Sequence, residues 1–152
     1  MSYFLLKTEP AAFSIDDFER VGTTSWGGVR NYQARNIIRD DMKVGDKCLM
    51  YHSSCAVPAA VGVGEIIAAA YPDPLQFDQK SEYYDGGSPI ISPRWCAVDV
   101  KFVEKFERIV TLAEMKKIPE LTDMRLLARG NRLSVFPIDK VHYDVITWLA
   151  HQ

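Results

Sequence analysis

Lys47-Cys48-Leu49-Met50-Tyr51-His52-Ser53 is an apolar-rich run opened by the turn pair Gly45-Asp46. It is short for a helix, and its alternation puts Leu49 and Tyr51 on one face and Cys48, Met50 and His52 on the other, which predicts a strand. Downstream, Ala59 to Ala70 reads as the next strand, with Gly62 and Gly64 marking a bulge or a close backbone approach. Trp95 to Phe106 reads as a third, in which Val98, Val100 and Phe102 alternate with Asp99 and Lys101. Upstream, Ser2 to Lys7 is an apolar run stopped by Pro10 and reads as a buried opening strand. Lys7 and Glu9 share a face if that strand carries so far. Arg132 to Ile138 is read as the strand that closes the sheet.

The helices are announced by their caps. Ser14 precedes Ile15-Asp16-Asp17-Phe18, an N-cap with acids in the first turn, and predicts a helix from Ile15 to Arg20. Asn31 to Asp40 has helical apolar spacing through Ala34, Ile37 and Ile38. Thr111 and Glu114 form a capping-box pattern, and Thr122 to Arg129 reads as a further short helix ended by Gly130. Asp139 to Ala150 predicts a terminal helix with Val141, Val145, Ile146, Trp148 and Leu149 inward. The whole is an α+β fold, a mixed or barrel-like sheet with short helices in the connections and a C-terminal helix. Strand and helix signals do not alternate regularly, which argues against a Rossmann arrangement.

The chain has 152 residues, 47% of them hydrophobic, and reads as one domain over 1–152. Three unevenly spaced cysteines, Cys48, Cys55 and Cys96, suit a reduced cytoplasmic protein. Ala59 to Tyr71 falls short of the roughly 20 apolar residues of a membrane helix and contains Glu65. Gly62-Val63-Gly64 lacks the third glycine of a dinucleotide fingerprint, because Ile67 stands there. Cys48 and His52 on one strand lie about 13 Å apart, too far to share a metal ion. Neither a cofactor nor a metal is expected.

Lys plus Arg total 18 and Asp plus Glu 20, a net charge of −2 that argues against a nucleic-acid binder until the charges are sorted by segment. Arg30, Arg35, Arg39 and Lys43 face Asp40 and Asp41, a local +2. Arg125, Arg129, Arg132 and Lys140 face only Asp139, a local +3. The compensating acids Asp73, Asp78, Glu82 and Asp85 sit with Lys80 in the segment from Tyr71 to Arg94, which is too long for an ordinary connection. Around Trp26-Gly27-Gly28-Val29-Arg30-Asn31 the cations lie among aromatic residues, Trp26, Tyr32, Tyr51 and Trp95, the combination that holds splayed bases.

Lys7-Thr8-Glu9-Pro10, Trp26 through Asn36, Tyr51-His52-Ser53, Ala70 through Pro74, Pro93-Arg94-Trp95 and Arg132-Leu133-Ser134-Val135 together resemble the EVE domain, in order and over essentially the whole chain. The resemblance implies a PUA-like mixed β-barrel, related to YTH and ASCH domains, that binds modified bases, with 5-methylcytosine and its oxidised forms in DNA the usual substrates. It departs from the family's usual residues at Gly27, Ser54 and Phe136, and the last two leave fewer hydrogen bonds to a base edge than the Asn and Gln usual there. On this basis the expected base-binding residues are Trp26, Asn31, Tyr32, Tyr51, His52, Ser53, Trp95 and Ser134. The expected phosphate-binding residues are Lys7, Arg30, Arg35 and Arg132. The expected partner is nucleic acid, DNA before RNA, bound by a monomer with no catalytic residue, in the cytoplasm or at a bacterial nucleoid. Two rivals stand beside this: a small amidohydrolase acting on a modified nucleoside through Lys7, Thr8 and Glu9, and a general RNA-binding module.

Overall fold

A computed structural model describes all residues from Met1 to Gln152. Strand β1 (Tyr3–Thr8) runs parallel to β3 (Lys47–His52), pairing Lys7 with Tyr51 and Thr8 with His52. Every other ladder is antiparallel, through β4 (Ala59–Pro72), β5 (Cys96–Thr111), β2 (Thr23–Trp26) and β6 (Val135–Ile138). The order across the sheet is β2-β5-β4-β3-β1-β6.

The mixed sheet expected from the sequence is present, but it is not closed into a barrel. Its edges, β2 and β6, are four residues each, and β6 carries Pro137, whose missing N–H suits an edge rather than a continuing ladder. Curvature comes instead from the long β4–β5 ribbon, whose register slips at several points between Ala60 and Tyr71. Both readings of the strand glycines hold there. A β-carbon on Gly62 would meet the Glu104 carbonyl at 2.4 Å and Ile15 at 2.5 Å, and one on Gly64 would meet Val100 at 2.7 Å. These glycines let helix α1 (Ile15–Val21) lay Ile15 and Phe18 directly on the sheet.

The caps form as their residues dictate. Ser14 and Asp17 make a reciprocal capping box on α1, Asn31 accepts from the Ala34 amide at the start of α2 (Tyr32–Asp40), and Thr111 and Glu114 box α3 (Leu112–Met115). Two expectations fail. Thr122 to Arg129 is not a helix: buried Leu121 and Met124 are three residues apart, and the chain meets that spacing with 3₁₀ turns at Pro119–Leu121 and Arg125–Leu127 separated by extended Met124. In α4 (Lys140–Ala150) Ile146 is buried and Val145 and Leu149 pack against the core as expected, but Val141 and Trp148 point to solvent at 51% and 62% exposure, and His142 and Ala150 take inward positions instead. Apolar residues lie on more than one side of α4, so their pattern does not single out the face that packs. The strand β2 has no signal of its own and exists because the Val98–Lys101 stretch of β5 offers it an edge; β5 itself runs on past Phe106 to Thr111.

His52 joins sheet to helix. Its Nε2 accepts the Ile15 amide at 3.1 Å, satisfying one of the free donors at the start of α1, so the ring is neutral with its proton on Nδ1. Burial holds its pKa below the ordinary 6.5. Below that value the unfolded chain takes up a proton that the folded protein resists, so stability falls with pH until the folded ring also protonates. His52→Gln keeps an acceptor and removes this contribution; the urea midpoint, compared with that of the unaltered protein, should depend less on pH between about 5 and 7.

Candidate nucleic-acid interface

The site is built around one buried carboxylate. Asp73, at the end of β4, is fully buried and its Oδ2 accepts the Gly28 amide at 2.8 Å and the Arg30 guanidinium at 2.9 Å, while its Oδ1 accepts the Leu75 amide at 3.0 Å. Gly27 passes so close that a β-carbon would lie 2.8 Å from Oδ1, and Gly28 turns the chain at φ 77°. The Trp26-Gly27-Gly28 segment is therefore clamped from below, and Trp26 is held edge-on against Phe13 with ring centroids 6.2 Å apart.

The same clamp orders the long segment between β4 and β5. Arg30 also donates to the Tyr83 carbonyl through Nε and Nη2, at 3.0 and 2.9 Å. Buried Gln76 donates to the carbonyls of Asp73 and Trp95 and accepts from Ser88 and the Trp95 amide. Trp95 donates its indole N–H to Asp85 at 2.8 Å. The acidic loop is thus tied to its own structure through its acids, and Tyr83 is carried over the mouth of a cavity.

That cavity, about 630 Å³, lies between the end of β1, the end of β2 and the loop. Trp26, Phe13 and Tyr83 supply its rings, and Lys7, Thr8, Glu9, Ser25, Glu82 and Ser134 its polar groups. The Lys7 ammonium sits 5.8 Å from the Phe136 ring centroid and forms no ion pair; burial lowers its pKa. The Thr8 hydroxyl donates to the Phe13 carbonyl at 2.9 Å. Ser25 hydrogen-bonds Tyr71, which donates to Asp99, fixing the end of β2 from behind.

Of the expected site residues, Trp26, Ser134 and Lys7 line this cavity. Tyr51 does not: it is buried in the core, and burial pushes its phenol up to about 12. His52 and Ser53 support backbone, the latter donating its amide to the Thr8 carbonyl at 2.9 Å. Tyr32 stacks on Trp95 at 4.8 Å and has the Arg35 guanidinium 4.9 Å from its ring centroid, outside the cavity. Arg30 is engaged with Asp73 and Tyr83, and Arg35 with the Arg94 carbonyl and Asn36. Asn31 caps α2 and, with exposed Arg132, faces a neighbouring depression. Phe13, Ser25, Glu82 and Tyr83 were not foreseen. The signal for the last two was the length of the loop together with its Tyr83-Tyr84 pair.

A small α+β domain with an open mixed sheet, short helices in its connections and one long ordered loop walling a cavity has the architecture of the PUA-like kind. The model of the EVE domain matches residues 2–149, and the chain belongs to that family. It is 39% identical to thymocyte nuclear protein 1 of Gallus gallus, over 99% of this chain and 69% of that protein. A solved structure from Pseudomonas putida is 42% identical with a TM-score of 0.94, covering 98% of this chain and 99% of that one. Human THYN1, solved in complex with DNA containing 5-methylcytosine, is 37% identical with a TM-score of 0.93, covering 100% of this chain and 99% of that one.

Two substitutions test the clamp. Asp73→Ala leaves the Gly28 amide without its acceptor and Arg30 without its carboxylate, and should cost about 3 kcal/mol in urea unfolding. Gly27→Ala forces a β-carbon onto the same carboxylate and should cost about 1–3 kcal/mol.

Proposed function

We propose that this EVE domain reads a modified cytosine in DNA, 5-methylcytosine or an oxidised form, by accepting the base, turned out of its helix, into the Trp26–Tyr83 cavity, and that it acts as a monomer. The observation that carries this reading is the cavity itself: rings at its walls, and Lys7 and Ser134 at its polar side. The DNA complex of human THYN1 supports it. In this reading Trp26 and Tyr83 stack on the base, and Ser134 or Lys7 meets its polar edge. Tyr51, His52 and Trp95 act from behind by holding β1, α1 and the loop, and Tyr32 and Asn31 bear on the flanking strand.

Turning a base out costs a few kcal/mol, and stacking on an aromatic ring returns about 1–3 kcal/mol. Burying one methyl group contributes about 0.8 kcal/mol, roughly a fourfold preference, so the fit of the cavity has to supply the rest of any selectivity. Trp26→Ala should weaken binding of a duplex with one 5-methylcytosine by about 5- to 150-fold, measured by fluorescence anisotropy. Equal affinity of the unaltered protein for methylated and plain duplexes would sink the reading. Steep salt dependence with indifference to Trp26→Ala would favour a general RNA- or DNA-binding module instead.

One observation favours a second reading. Lys7 shares the cavity with Thr8 and Glu9, has no ion pair, and is desolvated, which raises its share of neutral, nucleophilic amine. A nucleoside amidohydrolase would release acetate from N4-acetylcytidine, and Lys7→Met would abolish the release. The reader proposed above leaves N4-acetylcytidine intact.

A further inference from the structure

The arginines divide sharply. Arg20, Arg30, Arg39, Arg94 and Arg108 each hold a carboxylate, and Arg35 donates to a carbonyl and to Asn36. Arg125, Arg129 and Arg132 hold nothing: none forms an ion pair or a side-chain hydrogen bond, and all three are exposed. They line one depression of about 380 Å³ that has no carboxylate in its wall.

The loop that carries them is ordered by its own backbone. The Leu127 amide donates to Met124, the Ala128 amide to Arg125 and the Asn131 amide to Ala128, and Gly130 makes the turn at φ 81°. Asn131, in the same wall, has a buried amide nitrogen with no acceptor, one of two such side-chain atoms in the protein. Three unpaired guanidiniums around one hollow repel each other, and an anion with several acceptor oxygens relieves that repulsion.

The depression adjoins the base cavity. Asn31 lies two residues after Val29, and Arg132 two residues before Ser134; in each pair the first-named residue lines the depression and the second the cavity. Two residues span at most about 7 Å of chain. A DNA strand carries one phosphate per roughly 3.4 Å of helix axis. We propose that Arg125, Arg129 and Arg132 form a phosphate anchor that grips two or three backbone phosphates of the strand whose base enters the Trp26 cavity. The proposal builds on the reading given under Proposed function and moves the main phosphate contacts away from Arg30 and Arg35, whose guanidiniums are already engaged inside the protein.

The anchor reads charge and spacing, and the cavity reads the base, so the two separate in one experiment. Affinities for a methylated and a plain duplex are measured by anisotropy across about 50 to 200 mM salt. Replacing all three arginines by glutamine should reduce the salt slope by about 2 to 3, at roughly 0.9 per phosphate, and weaken both duplexes alike so that their ratio is unchanged. The triple lysine variant should keep most of the slope. Trp26→Ala should do the reverse, lowering the ratio and leaving the slope. An unchanged slope in the triple glutamine variant overturns the anchor even if the methylated duplex is preferred. A lost slope with no preference for methylated DNA in the unaltered protein keeps the anchor and overturns the base reading. No binding of either duplex at the lowest salt overturns both.

Discussion

The carboxylate of Asp73 is the point on which the candidate site turns. It is fully buried, and it receives an amide from the glycine turn after Trp26, a guanidinium from Arg30 and an amide from its own 3₁₀ turn. Replacing a buried ion pair by apolar residues is often neutral for stability, so its worth here lies in what it aligns. Its partners fix the end of β2 against the end of β4 and, through Arg30, hang the acidic loop over the space between them. The cavity has walls because that one group has three partners.

This arrangement also explains how a chain with a net charge of −2 can present a basic face. Two of the four acids of the long loop are turned inward, Asp73 to Arg30 and Asp85 to Trp95 and Arg94, while Asp78 and Glu82 stay exposed. Other arginines are matched with nearby acids on the surface, as Arg39 is with Asp40. Among the arginines, the three that hold no carboxylate or carbonyl, Arg125, Arg129 and Arg132, are gathered in one loop. Long-range attraction from such a surface is modest, and a short row of phosphates held at one place is the interaction it suits.

Much of the fold was legible in the sequence, and for local reasons. Ser14, Asn31 and Thr111 cap helices because a side-chain oxygen two or three residues from an amide reaches it whatever the rest of the chain does. The strands at Tyr3–Thr8 and Lys47–His52 announce themselves as short apolar runs, and Gly62 and Gly64 mark a close approach that proves to be α1 on the sheet. Where signals were weak or shared between faces, the reading failed. Thr23–Trp26 has no strand pattern, Thr122–Arg129 resembles a helix but is set by a three-residue burial spacing, and α4 has apolar residues on two sides.

The site divides along the same line. By itself the sequence determined the family, the helix caps, the core strands and the segments around Trp26, Lys7 and Ser134 from which the cavity is made, since these depend on residue order and short-range periodicity. Only the tertiary structure decided which aromatic rings face the cavity and which are buried behind it: Tyr83 arrives from a distant loop, and Tyr51 turns into the core. It likewise decided which arginines are free. Arg30 and Asp73 are 43 residues apart in the chain, and no local pattern reveals that one will neutralise the other. Ion pairing and the filling of a cavity are contacts across sequence distance, and they are settled only when the sheet brings the ends of its strands together.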